Sequence, residues 1–124
     1  MKWQVLLLAD SPLLTGILML QLTEEGFDVT ALDSSESMAE RLMSQEPDLV
    51  ILDLPLPDRH GAELAARLCL RRKIPLMVLA APGTSQVVGD RLRGAHILVK
   101  PFSVDRLLGR IGDALGGKRS ASVA

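Results

Sequence analysis

The chain has 124 residues, a formal net charge of −1 and 48% hydrophobic residues. This length fits one domain, since a domain takes roughly 100 to 200 residues, and the apolar fraction is high enough to build a buried core. Nucleic-acid backbones need clustered Lys and Arg, but the chain has no extended basic run and only 2% aromatic residues to stack on bases. We therefore expect no direct contact with nucleic acid.

The apolar segments are too short for export or for a membrane span. The first one ends at Asp10, after about half the length that the apolar part of a signal sequence needs. The densest stretch, LLTGILMLQL at 13–22, is well short of the ~20 residues that cross a bilayer. The single cysteine, Cys69, has no partner for an internal disulfide. These features predict a soluble, cytoplasmic protein that does not contact a membrane.

Short apolar runs alternate with longer segments of helical periodicity, which predicts five β-α units around a parallel sheet. Strands are expected at about 4–9, 27–32, 48–53, 75–80 and 95–99. Ser11 and either Ser34 or Ser35 are expected to cap the first two helices, with Pro12 in the first helical position and Gly26 ending the first helix.

The remaining helices differ in the strength of their signal. The third is expected at about 60–72, and the fourth, near 84–93, contains Gly89 and few apolar residues, so it should be the least firmly held. The fifth follows Ser103 and has one narrow apolar face, formed by Val104, Leu107, Leu108, Ile111 and Leu115. Residues 1–116 are predicted to form the domain, and the small polar segment 117–124 a flexible tail or linker.

Charged side chains follow three of the predicted strands at the point where each strand ends. Asp10 follows the first strand, Asp53 ends the third and Lys100 follows the fifth. In an open parallel sheet, ligands bind beyond the carboxyl ends of the strands, near the point where strand order reverses. The sequence therefore predicts that two carboxylates and one ammonium converge there.

With these residues in place, the chain resembles a response-regulator receiver domain of two-component signalling over about residues 3–116. The matching segments are VLLLAD, PDLVILDLPLPDRHGAEL, IPLMVLAA and GAHILVKPF, in the family's order and close to its spacing. The resemblance implies a flavodoxin-like (CheY-like) three-layer fold, with five helices around a five-stranded parallel sheet in the order 2-1-3-4-5. It also implies a phosphorelay partner, either a histidine kinase or a histidine phosphotransfer protein.

The same resemblance assigns roles to particular residues. Asp53 matches the phosphoacceptor, Asp10 a magnesium-binding acid and Lys100 the lysine that contacts the phosphoryl oxygens. Mg²⁺ would take oxygen ligands from Asp10, Asp53 and the backbone carbonyl of Pro55, because proline retains its C=O and loses only its N–H. In the family the bond before Pro101 is often cis. Such a domain is not expected to be an enzyme, beyond promoting its own phosphorylation and dephosphorylation.

Three positions depart from the family pattern. The first of two adjacent acids is replaced by Ala9, which is expected to weaken the metal site. The Thr or Ser whose hydroxyl binds the new phosphoryl group is replaced by Ala80, and the aromatic switch residue by Ile97. Two functions therefore stay open: a phosphoacceptor of weakened activity, and a phosphorylation-independent interaction or scaffold module. An effector protein or a second copy is a candidate partner for either, and a flavin-binding module is a more remote third class.

Several residues also have a purely structural interpretation. Asp53 can be a strand-end carboxylate, Lys100 a turn residue, and Asp10 a cap on the first helix. In that helix, the resemblance assigns Leu13, Leu14, Ile17, Leu18 and Leu22 to the core. Met19 and Leu20 then either form an exposed apolar patch for a partner or reflect a slightly rotated helix.

Overall fold

The computed structural model describes residues 2–116, so the predicted tail at 117–124 lies outside the described residues. Five parallel strands form one sheet in the order β2-β1-β3-β4-β5, which confirms the predicted topology. The strands are β1 (Gln4–Leu8), β2 (Asp28–Leu32), β3 (Leu49–Asp53), β4 (Leu76–Ala80) and β5 (His96–Val99). The helices are α1 (Pro12–Glu24), α2 (Ser35–Ser44), α3 (Arg59–Arg71), α4 (Ser85–Arg91) and α5 (Val104–Ala114).

The sheet separates two apolar cores, because successive side chains of a strand point to opposite faces. Leu6 and Leu8 of β1 enter the core that α2 and α3 cover. Val5 and Leu7 enter the core that α1 and α5 cover. The strands β3 and β4 are buried along their whole length, as expected of central strands covered on both faces. This arrangement gives the three layers that the sequence predicted.

Side-chain caps fix where the helices begin. Ser11 Oγ accepts a hydrogen bond from the Leu14 amide at 3.2 Å, and Ser34 Oγ accepts one from the Ser37 amide at 3.0 Å. Each cap satisfies an amide that has no partner within its helix. The predicted cap at Ser11 is therefore confirmed, Ser34 rather than Ser35 is the cap of α2, and Gly26 follows α1 with a φ of +92°.

The buried face of α1 differs in part from the prediction. Leu18 and Leu22 are buried as expected, but Leu13 and Ile17 are 74% and 46% exposed. Leu20 is 58% exposed, whereas Met19 packs against the core. The reason is that α1 is apolar all round, so its sequence does not specify one inward face. The exposed apolar patch exists, but Leu13, Ile17 and Leu20 form it, and we call it the α1 stripe.

The shortest helix, α4, is held by few contacts, in agreement with the prediction. Its seven residues include none that is buried, and no side chain caps its N-terminus. Half-buried Val88 packs against the core, and Arg91 Nη1 lies 3.2 Å from Glu63 Oε1 of α3. Between residues 2 and 116, no helix combines the length and the hydropathy that a membrane crossing requires.

Candidate functional site

Asp53 lies at the carboxyl end of β3, where the buried strand meets the loop that leads to α3. The residue is only 5% exposed. Its Oδ1 lies 2.7 Å from Lys100 Nζ. This oxygen is shielded from solvent, and within the described residues its contact is this ion pair rather than a well-aligned hydrogen bond. The carboxylate is thus held at the sheet edge by one cation, with acceptor capacity left for a further partner.

Lys100 reaches this position from the end of β5. Its ammonium also donates a hydrogen bond to the Leu54 carbonyl at 3.0 Å, so it spans the two positions that end and follow β3. The Lys100 amide donates to the Ala80 carbonyl at 2.9 Å, which ties the end of β5 to the end of β4. The bond before Pro101 is cis, as the resemblance implied, and so is the bond before Pro55. A role for Lys100 as a turn residue alone does not account for its side-chain contacts.

Asp10 lies at the same edge of the sheet, two residues beyond the end of β1. Leu8 of β1 is paired in register with Leu52, which immediately precedes Asp53. Asp10 is exposed, and Ser11 rather than Asp10 caps α1. The alternative that Asp10 serves only as a cap of α1 is therefore wrong. Among residues 2–116, the Asp10 carboxylate makes no hydrogen bond or ion pair that would give it another structural role.

The oxygen ligands at this edge are of the type that a magnesium ion takes, but there are few of them. The Asp53 carboxylate keeps acceptor capacity beyond the ion pair of its Oδ1 with Lys100, so it can contribute oxygen to a cation at this edge. From residue 2 to residue 116, no three His, Cys, Asp or Glu side chains assemble into a group that could hold a metal by themselves. A metal here would therefore depend on the Pro55 carbonyl and on waters in addition to the carboxylates of Asp10 and Asp53.

The three replaced family positions lie just after β1, at the end of β4 and on β5. Ala9 is half-buried beside Asp10, and Ala80 is fully buried at the end of β4. Ile97 is half-buried, and its Cδ1 would lie 3.5 Å from a Cβ atom built on Gly89 of α4. An aliphatic side chain thus occupies the contact between β5 and α4. Neither Ala80 nor Ile97 supplies a hydroxyl or a ring at these positions.

The loop after Asp53 is fixed by the first turn of α3. Asp58 Oδ1 accepts a hydrogen bond from the Gly61 amide at 2.9 Å and caps this helix. A Cβ atom on Gly61 would collide with the Asp58 carboxylate and lie 2.9 Å from Ser35 Cβ. Gly61 therefore allows α3 to approach the start of α2 closely. His60 is exposed.

Cys69 is remote from this chemistry. It is fully buried in the core under α3. Burial raises the pKa of its thiol to about 12, against a smaller opposing effect of the Arg72 charge. Because the thiolate is the reactive form of cysteine, this side chain is a structural one.

Two contacts of the site region could not be predicted from sequence. The Leu54 carbonyl that accepts from Lys100 is a backbone atom and carries no residue-type signal. The Glu63–Arg91 pair joins residues that are far apart in the chain and are ordinary surface charges when the sequence is considered alone.

Comparison with known proteins agrees with this geometry. Residues 5–112 match the response regulator receiver domain. The transcriptional regulatory protein KdpE of Staphylococcus aureus is 32% identical over 113 residues, which cover 90% of this chain and 49% of that relative. The chain thus spans about half the length of that curated relative.

Solved structures show the same fold. The signal receiver domain of a Luxo repressor protein from Vibrio parahaemolyticus has a TM-score of 0.83 at 25% identity, covering 98% of this chain and 95% of that one. The receiver domain of a sensor histidine kinase from Pseudomonas aeruginosa, solved with magnesium in its active-site cleft, has a TM-score of 0.81 at 21% identity and covers 94% and 99%.

A doubly wound sheet that holds an aspartate–lysine pair at its carboxyl edge defines a flavodoxin-like signalling module. More specifically, the chain belongs to the response regulator receiver family and is a receiver domain of two-component signalling. Receiver domains bind Mg²⁺ in their active site and interact with histidine kinases and effector domains. They are generally not enzymes, although they have autophosphatase activity.

Proposed function

We propose that Asp53 accepts a phosphoryl group from a histidine kinase or a histidine phosphotransfer protein, with weakened activity. The observation that carries this proposal is the ion pair between the buried Asp53 Oδ1 and the partly exposed Lys100 Nζ, 2.7 Å long, at the carboxyl edge of the sheet. The ammonium, brought from β5 two strands away, offsets the burial of the carboxylate, and the same cation is available to chemistry at Asp53. Phosphoryl transfer needs such a cation, since it depends on positioning and on neutralising charge.

The chain's own residues perform two tasks in this proposal. Lys100 holds Oδ1, so that an incoming phosphoryl group meets the other carboxylate oxygen, Oδ2. Because the ammonium already lies at the pair, it can neutralise charge on the phosphoryl oxygens without a large rearrangement. The Leu54 carbonyl positions the ammonium through its 3.0 Å hydrogen bond. A magnesium ion held by Asp10, Asp53 and the Pro55 carbonyl would supply additional charge neutralisation.

The weakening follows from the replaced residues. Ala9 removes one negative charge beside the metal ligands, which lowers the electrostatic attraction for a divalent cation. Ala80 offers no hydroxyl to a phosphoryl group on Asp53, and Ile97 leaves an aliphatic contact where an aromatic ring would move. We expect slow phosphorylation and a small structural response in α4.

A second function is favoured by the α1 stripe. Leu13, Ile17 and Leu20 recur at helical spacing and are exposed, so they offer an apolar surface whose presence does not depend on Asp53. A phosphorylation-independent module would use this surface to bind an effector protein. Substituting Leu13 and Leu20 by Lys should abolish such binding while leaving the free energy of unfolding unchanged. Unchanged binding of the effector protein by this variant would refute the second function.

The phosphoacceptor function is tested by NMR with beryllofluoride and magnesium, which together mimic a phosphoryl group. We expect amide shifts at Asp10, Asp53, Leu54 and Lys100, and only small shifts in α4. Asp53→Asn is the matched control, because it keeps the side-chain shape and loses the charged acceptor. Shifts that are absent from the wild-type chain, or equally present in Asp53→Asn, would contradict the proposal.

The cellular site we propose is the cytoplasm, where phosphorelay kinases present their histidine.

A further inference from the structure

The charges of the chain are separated between its two halves. Residues 2–58 contain two Lys or Arg and eleven Asp or Glu, whereas residues 59–116 contain ten Lys or Arg and four Asp or Glu. The first part forms β1, α1, β2, α2 and β3, and the second forms α3 to α5. Because the strand order is 2-1-3-4-5, the acidic part lies toward the β2 edge and the basic part toward the β5 edge. A net charge of −1 therefore conceals a strongly polarised molecule.

The cations concentrate where α3 and α4 end. Arg67 and Arg71 follow each other by one turn on the exposed face of α3, Lys73 lies in the turn beyond it, and all three are exposed. Arg91 and Arg93 lie at the end of α4 and are also exposed. We call these five residues the basic surface.

Contacts between α3 and the end of α4 hold the basic surface together. Glu63 Oε1 lies 3.2 Å from Arg91 and 3.9 Å from Arg67, so one carboxylate links the two helices. A Cβ atom built on Gly94, next to Arg93, would lie 3.5 Å from Leu70 Cδ2, which brings the α4–β5 turn to the end of α3. Arg72 does not join this surface, because its guanidinium donates to the Leu42 carbonyl. Glu63 on α3 pairs with two of these cations, and exposed Asp90 on α4 adds one more negative charge, so the five positive charges are only partly neutralised by these two acids.

The complementary charges lie on the opposite flank of the same edge. Glu24 ends α1, Glu25 follows it, and Asp28 begins β2, and all three are exposed. We call them the acidic flank. The helices α1, α3 and α4 all end at the edge where the strands begin, so both surfaces lie away from the Asp53 edge. Neither would be covered by a phosphoryl donor at Asp53.

We infer that two copies of this chain associate head to tail, with the acidic flank of one against the basic surface of the next. Both surfaces belong to the chain itself, so charge complementarity identifies a second copy as the partner. Four of the five cations are Arg, whose planar guanidinium makes paired hydrogen bonds to carboxylates. A contact between two different surfaces leaves one of each free, so association continues beyond a dimer. It does not depend on phosphorylation.

Sedimentation velocity of the 124-residue chain tests this inference. At about 0.01 M salt, where the Debye length is about 30 Å, we expect the mean mass to exceed that of a monomer and to rise with protein concentration. At about 1 M salt, where the Debye length falls to about 3 Å, the chain should be monomeric. A monomer at low salt would overturn the inference.

Two neutralised variants make the test sharper. One carries Arg71→Gln, Lys73→Gln and Arg93→Gln, and the other carries Glu24→Gln and Glu25→Gln. Each should be monomeric alone with an unchanged circular dichroism spectrum. Mixed, they should form a 1:1 heterodimer that does not extend, because only one intact flank and one intact basic surface remain.

Other outcomes would overturn the inference. Self-association that persists in either variant would place the contact elsewhere, the α1 stripe being the first candidate. If the wild-type chain stays monomeric but binds a DNA duplex, and the variant of the basic surface does not, then the basic surface is a nucleic-acid site.

Discussion

Replacing Lys100 by Met tests whether the ion pair matters to the folded state as well as to the proposed chemistry. The substitution keeps most of the aliphatic stem and removes the ammonium, so Asp53 remains as a shielded carboxylate without its cation. Removing one partner of a fully buried pair costs about 3–5 kcal/mol, whereas an exposed pair contributes about 0–1 kcal/mol.

The observed burial places this pair between those limits. The side chain of Asp53 is 8% exposed and that of Lys100 is 29% exposed. We therefore expect Lys100→Met to lower the free energy of unfolding by about 2 kcal/mol, which corresponds to a drop in Tm of roughly 6–10 °C for a domain of this size. Urea unfolding followed by circular dichroism measures this cost.

The control is the same substitution in the Asp53→Asn background. There no carboxylate is left unpaired, so the cost of Lys100→Met should fall below about 1 kcal/mol, and the difference between the two backgrounds is the coupling energy. Equal costs in both backgrounds would refute the reasoning, since the ammonium would then contribute nothing through Asp53.

The remaining predictions concern other parts of the molecule. Gly61→Ala should destabilise the domain by about 1–2 kcal/mol in urea unfolding, because the new Cβ displaces the capping carboxylate of Asp58 and the lost cap outweighs the gain in helix propensity. Unchanged or increased stability would contradict this prediction. Ala9→Asp should tighten Mg²⁺ binding about tenfold, because a carboxylate about 5 Å from a divalent cation contributes about 1.5 kcal/mol even in water. Ala9→Asn is the control, and equal Mg²⁺ affinities of the two variants in an NMR titration would contradict the prediction. Native Cys69 should not react with a thiol reagent, and the free energy of unfolding should fall as pH rises above about 9, because the unfolded thiol ionises near 9.0 whereas the pKa of the folded thiol is about 12. The variant Cys69→Ala should lack this part of the pH dependence, and an equal decline in that variant would contradict the prediction.

Much of the fold and part of the site could be predicted because their signals are local. The strands β1, β3 and β4 are short apolar runs, and the residues just beyond the strand ends converge whenever the strands are parallel. The sequence therefore predicts that Asp53 and Lys100 meet, and the structure confirms their contact at 2.7 Å. The roles assigned to Asp10, Pro55 and the metal remain predictions.

Features that depend on tertiary packing were predicted less well. The apolar sequence of α1 fits the sheet in several rotations, so the exposure of Leu13 and Ile17 follows only from how the helix is seated. The basic surface is a second example. Its cations come from two segments of the chain, and only the approach of α4 to the end of α3 makes them neighbours. The net charge of the chain, which is close to zero, does not indicate that such a surface exists.

The central claim, that Asp53 is a working but weakened phosphoacceptor, is tested most directly by intact-mass measurement after incubation with acetyl phosphate. We expect a slow gain of one phosphoryl group that requires magnesium, is reversed by hydroxylamine as an acyl phosphate should be, and is absent from Asp53→Asn. No gain after prolonged incubation with magnesium, or a gain that persists in Asp53→Asn, would contradict the account.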